Sequence, residues 1–153
     1  MNDLVAIMTR IQKDVIDAYD FDLGAQLIHQ DLRVLRSSFE NIAQMFSGAR
    51  EAQSGHALSG LAGLKMGLTM IRQSFPDWSH HDLDLAQSGN RVFGRMTVRG
   101  THEGVFFGIE ATGRTISFEE WCIAEFHDGK LAAFTGIADE LGFLKQLGAL
   151  PTG

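Results

Sequence analysis

Thr115-Ile-Ser-Phe-Glu-Glu-Trp-Cys-Ile-Ala-Glu-Phe126 is the stretch whose reading decides the fold. Successive residues of a strand point to opposite faces of its sheet. One face here carries Ile116, Phe118, Glu120, Cys122, Ala124 and Phe126. The other carries Thr115, Ser117, Glu119, Trp121, Ile123 and Glu125. The pattern predicts a long strand over 115–126 with one apolar side, and Asp128-Gly129 predicts a hairpin turn into a returning strand over 130–137. Upstream, 91–100 alternates in the same way, with Val92, Met96 and Val98 opposed to Phe93, Arg95, Thr97 and Arg99. A further alternating run starts at His80: His81, Leu83 and Leu85 face one way, His80, Asp82 and Asp84 the other. Gln87-Ser88-Gly89-Asn90 turns that run into the next.

The period changes towards both ends of the chain. Leu4, Ile7, Met8, Ile11, Val15 and Tyr19 recur every three or four residues, the spacing of an amphipathic helix. Asp22 is the expected cap of a short second helix carrying Leu23, Leu27 and Ile28. Residues 32–35 read as a short strand. Residues 36–59 read as an irregular polar loop with a helical turn near Ile42–Phe46. Leu61, Leu64, Leu68, Ile71 and Phe75 mark a third helix that Pro76-Asp77 ends. Asp139 caps a last helix with Leu141, Leu144 and Leu147 as its apolar stripe, and Gly148 stops it. Helices followed by a strongly curved antiparallel sheet make an α+β fold in which the sheet wraps a helix and leaves a mouth.

The length, 153 residues, fits one domain over 1–153. Thirteen basic residues against nineteen acidic ones give a net charge of −6, the wrong sign for nucleic acid or an anionic membrane. Cys122 is the single cysteine, which leaves no internal disulfide and no cysteine-rich zinc site. The charged start and the lack of an 18-residue apolar run predict neither a leader peptide nor a membrane span, so a cytoplasmic location is expected.

Glu120 is the most informative polar residue, because its neighbours on the apolar face are hydrophobic apart from Cys122. Burial there disfavours the charged carboxylate and tunes it for acid/base work. The plainer reading pairs it with Arg95 on the neighbouring strand. Cys122 reads as a small inert hydrophobe, since no base is in view to make it a nucleophile. His80 and His81 point to opposite faces, so they cannot chelate one metal, and no metal is expected. His81 can reach a pocket or sit as a core histidine. His102 can contact a ligand or fix its own loop. Arg95, Cys122, Phe118, Phe134 and His81 are expected at the ligand, with the eleven phenylalanines supplying the lining of an apolar pocket.

The run Arg95-Met-Thr-Val-Arg-Gly-Thr-His102, then Glu103-Gly-Val-Phe-Phe-Gly-Ile109 and Ala111-Thr-Gly113, resembles the SnoaL-like polyketide cyclases, which read R-x-x-x-x-G-T-H-x-G-x-F-x-G-I-x-P-T-G. Phe126-His-Asp-Gly-Lys-Leu131 and the ending Asp139-Glu-Leu-Gly-Phe-Leu-Lys-Gln-Leu-Gly148 are similar to the family's hairpin and tail. The resemblance covers about residues 60–148 well. It implies the nuclear transport factor 2-like cone, an α+β barrel around an apolar pocket for a hydrophobic small molecule. It implies no cofactor, and a homodimer through sheet faces that Trp121, Ile123 and Phe93 would suit. It also implies aldol-type ring closure by an aspartate, whose position here is Gly136. Glutamine and histidine positions of the family correspond to Glu120 and Cys122. Two readings follow: an enzyme with Glu120 as acid/base, aided by Arg95 or His102, or a module that binds without converting.

Overall fold

The computed structural model describes residues 2–47 and 59–150. Its front is helical. Helix α1 (Leu4–Arg10) starts where the Asp3 carboxylate accepts the Ala6 N–H at 3.0 Å. The expected single helix then widens: Ile11–Asp17 winds as a π-helix and closes with Ala18 N–H donating to the Lys13 carbonyl at 3.1 Å. Helix α2 (Phe21–Leu27) is capped by Asp20, not Asp22, for the Asp20 carboxylate accepts the Leu23 N–H at 3.0 Å. Strand β1 (Ile28–Arg36) is longer than the expected 32–35. The following polar region holds helix α3 (Glu40–Ser47), and the rest of the expected loop, 48–58, lies outside the described residues. Helix α4 (Gly60–Ser74), strands β2 (Ser79–Ser88), β3 (Arg91–Thr101), β4 (Thr115–His127) and β5 (Lys130–Ala138), and helix α5 (Glu140–Leu147) complete the chain. Asp139 caps α5 by accepting the Gly142 N–H at 2.9 Å, and Gly148 ends it at φ +69°, a left-handed conformation that favours glycine.

The five strands form one curved sheet in the order β1-β5-β4-β3-β2. Three neighbouring pairs are antiparallel, but β1 runs parallel to β5, so the sheet is mixed rather than antiparallel throughout. The periodicity of β1 cannot reveal this. Its partner comes at the far end of the sequence, and the connection passes through most of the domain. The inner and outer faces of β3 and β4 follow the alternation of the sequence, with Val92, Met96, Val98, Phe118, Glu120 and Cys122 all turned inward.

The core has two parts. Under the first helices, Met8, Ile11 and Val15 pack against Val92, Met96 and Ala124 of the sheet. At the other end is an aromatic cluster built on Phe39, Phe75, Trp78, Phe106, Phe118 and Phe143. Ring centroids lie 5.0 Å apart for Phe39–Phe143 and 5.3 Å for Phe118–Phe143, in tilted and edge-on arrangements. Much of the phenylalanine excess is therefore core.

Strand β2 departs from its sequence pattern at one point. His80 pairs with Val98 and His81 with Thr97, but Asp84 pairs with Arg95, so β2 holds one extra residue. Asp82 absorbs it at φ +52°, in the left-handed region that aspartate tolerates better than most residues. The bulge reverses the side-chain parity. Leu83 and Leu85 face inward beyond it, but before it the inward residue is His80.

Candidate active site

Between the helices and the concave face of the sheet is a cavity of about 360 Å³. Its wall is mostly apolar, including Ile11, Leu64, Phe39, Trp78, Phe106 and Phe134. The polar groups that interrupt the wall include Gln12, Ser38, His80 and Glu120.

Glu120 lies in the middle of β4, between Met96 of β3 and Ala138 of β5, and is 6% exposed. The pleat turns its side chain towards the cavity. Burial pushes its carboxyl above the usual carboxylate value, against a partial pull down from the charge of His80 and a hydrogen bond with Ser38. Ser38 sits beside β5, where Ala138 N–H donates to its carbonyl at 3.3 Å. A Cβ built on Gly136 would collide with the Ser38 Oγ and come within 2.9 Å of the Phe134 ring. The missing side chain at 136 is thus the space that the Ser38 hydroxyl occupies.

Opposite this group, the π-helical segment anchors His80. The Asp17 carboxylate accepts the His80 backbone N–H at 3.0 and 3.2 Å, and its Oδ1 lies 2.7 Å from the His80 Nδ1. Lys13 Nζ donates to Asp17 Oδ2 at 2.7 Å and to the His80 carbonyl at 2.6 Å. Burial works against the Asp17 charge, yet these hydrogen bonds and the attraction of the His80 ring hold its carboxyl below the usual value. With Nδ1 on Asp17, the ring nitrogen left for a ligand is Nε2.

The other expected site residues are dispersed. Phe134 lines the cavity with Glu120, whereas Phe118 belongs to the aromatic core. Arg95 is on the outer face: it pairs with Asp84 at 3.2 Å and Glu119 at 3.6 Å and lies over the Trp121 ring at 5.7 Å. It is not the partner of Glu120, because adjacent strands in register place Arg95 opposite Trp121 and Met96 opposite Glu120. His102 is buried away from the cavity wall. Its ring stacks on Phe75 at 5.1 Å, and its Nδ1 accepts the Thr112 N–H at 3.2 Å, which ties the glycine-rich loop together. Burial lowers its pKa, with a smaller opposing effect from the Gly104 backbone. His81 is turned out of the cavity by the bulge and bonds the Ser79 hydroxyl at 2.8 Å. Cys122 packs under Gly94, and burial, with the Glu120 charge, pushes its thiol up to about 12, so it stays a thiol. Among the described residues no cluster of three or more His, Cys, Asp or Glu could hold a metal ion. No helix among them is long and apolar enough to cross a membrane.

The comparisons with known proteins agree with this architecture. The family model of the SnoaL-like polyketide cyclases matches residues 37–147. Aklanonic acid methyl ester cyclase DnrD of Streptomyces peucetius is 28% identical over 92 residues, which are 60% of this chain and 63% of that protein. The corresponding enzyme DauD of Streptomyces sp. (strain C5) is also 28% identical over 92 residues, or 57% of its length. The match thus spans about three fifths of each cyclase. Among solved structures, wild-type IdmH from Streptomyces antibioticus superposes with a TM-score of 0.79 at 22% identity, over 96% of this chain and 99% of that one. A SnoaL-like polyketide cyclase from Agrobacterium tumefaciens gives 0.73 at 19% identity, over 97% and 100%. At such identities these structures speak for the nuclear transport factor 2-like α+β cone. With the family model covering most of its length, the chain belongs to the SnoaL-like polyketide cyclase family.

Proposed function

We propose that the chain isomerises or cyclises a small hydrophobic carbonyl compound by acid/base chemistry, with Glu120 as the proton carrier. One observation carries the reading: a buried carboxyl faces a largely apolar cavity in which His80 is the basic side chain that acts on it, and among the described residues no lysine or arginine holds it in a permanent ion pair. As carboxylate, Glu120 takes a proton from the carbon next to a carbonyl. The electron pair of that C–H bond moves into the new C=C bond, and the carbonyl oxygen becomes an enolate. Returning the proton at another carbon isomerises the compound. Alternatively the enolate carbon adds to a second carbonyl of the same molecule, and the resulting alkoxide takes the proton from Glu120. A carboxyl whose pKa is raised is a stronger base once ionised and a usable acid when protonated near neutral pH. The aklanonic acid methyl ester cyclases that this chain resembles make a polyketide carbonyl compound a reasonable substrate class.

The departure from the family is then a relocation. The aspartate expected at Gly136 on β5 gives way to Glu120 on β4, two residues along that strand from Cys122, which pairs with Gly136, and hydrogen-bonded with Ser38. Gly136 also favours a second reading, in which the cavity binds its ligand without converting it. Deuterium uptake by 2-tetralone in D2O, followed by NMR, separates the two. Wild type accelerates loss of the C1 protons over matched buffer, and Glu120→Gln loses about 10²–10⁴-fold of that rate. Equal rates in wild type and buffer leave the binding reading, and equal rates in wild type and Glu120→Gln remove Glu120 from the chemistry.

A further inference from the structure

Gln12 is 2% exposed, lines the cavity, and its Oε1 is buried with no protein hydrogen-bond partner among the described residues. Buried amide oxygens are almost always paired, because an unpaired one forfeits its solvation. Its setting is also specific. In α-helical winding, residues five apart lie about 140° apart around the axis. The i→i+5 winding of Ile11–Asp17 instead brings Gln12 and Asp17 towards one face. Asp17 uses that face to hold His80, and Gln12 and His80 both reach the cavity wall. Such π-helical segments recur at functional sites.

We propose that Gln12 is a specificity residue whose Oε1 accepts a hydrogen bond from a hydroxyl or enol group of the ligand, beside the Asp17-held His80. The ligand class is then narrower than a hydrophobic carbonyl compound: an apolar ring system bearing an O–H donor on the side that meets the first helices. This rests on the cavity being the ligand site, as in the proposed function, but not on Glu120 moving a proton. An acceptor with no protein partner discriminates strongly, because a ligand lacking the donor leaves it unpaired in the complex as well.

Binding of 1-naphthol and 1-methoxynaphthalene, measured by fluorescence titration, tests the assignment, since the methyl ether keeps the rings and removes the donor. Wild type binds 1-naphthol at least about 10-fold more tightly. Gln12→Met, which is similar in size and removes the oxygen, abolishes that preference and leaves 1-methoxynaphthalene affinity within about 2-fold. Gln12→Glu keeps an acceptor and keeps the preference, and thermal melts of both variants establish that they are folded. Glu120→Gln also keeps the preference, so loss of proton exchange in that variant with discrimination intact separates the two claims. Equal wild-type affinity for both probes, binding of neither, or a preference that survives in Gln12→Met overturns the proposal.

Discussion

Glu120→Gln should make the protein more stable at neutral and alkaline pH, by an amount that grows with pH in a defined way. Burial raises the folded-state pKa of Glu120. Below the unfolded value, about 4.3, both states hold the proton and the substitution has no pH-dependent effect. As pH rises past that value, the unfolded chain releases its proton while the folded chain keeps it, so the folded state binds more protons and stability falls. Each pH unit in this window removes up to about 1.4 kcal/mol from wild type. Glutamine has no such proton. The difference between variant and wild type therefore climbs through this window and levels off where Glu120 ionises in the folded protein. The plateau reports its folded pKa directly. For a chain of this size each kcal/mol moves the melting temperature by about 2–4 °C, so urea titrations or melts from pH 4 to 9 resolve the climb. Any altered hydrogen bonding of the amide with Ser38 adds a constant offset without changing the shape. A difference flat across that range, or one that shrinks with rising pH, would refute the placement of Glu120 as a buried, desolvated carboxyl.

Asp17→Asn should have the opposite pH signature. The folded pKa of Asp17 is lowered, so its stabilisation is present above about pH 3.9 and lost as pH falls through the folded value. Removing its charge-assisted bond to His80 should cost about 1.5–3 kcal/mol near neutrality and less in acid, read by urea titration at both pH values. Phe143→Ala should cost about 3–5 kcal/mol by the same measurement, because Phe143 is fully buried at the centre of the aromatic cluster. Cys122 should react with iodoacetamide only as fast as the protein opens, since its thiol is both buried and held protonated. We also expect the outer sheet face to form a homodimer, because Trp121 is 55% and Ile137 53% exposed there. Sedimentation should give a dimer that Trp121→Glu converts to monomer, and a wild-type monomer at micromolar concentration would exclude it.

The sequence revealed the fold where its periodicity was uninterrupted. Alternation along 115–126 placed Glu120 inward, and the α5 caps at Asp139 and Gly148 stand where their residue types require. Two local departures hid the rest of the candidate site. Extending the alternation of Leu83 and Leu85 back across Asp82 assigned His81 to the inner face, but a bulge at that single aspartate inverts parity and delivers His80 instead. The apolar spacing from Leu4 to Tyr19 read as one α-helix, which conceals the π-winding that places Gln12 and Asp17 together. A bulge and a π-turn each depend on tertiary contacts, here His80 with Asp17 and Lys13, so the local pattern has no mark of them. Arg95 failed as the Glu120 partner for a simpler reason: its own alternation already put it on the outer face with Phe93 and Arg99.

The central claim is that Glu120 moves a proton to and from a bound ligand. Its most direct test is the pH dependence of 2-tetralone deuteration by wild type and Glu120→Gln. The wild-type rate should rise through one ionisation, at the same pH as the stability plateau and above the ordinary glutamate value, and the variant should show no such rise. A profile that survives in Glu120→Gln, or a wild-type midpoint at the ordinary glutamate value, would contradict it.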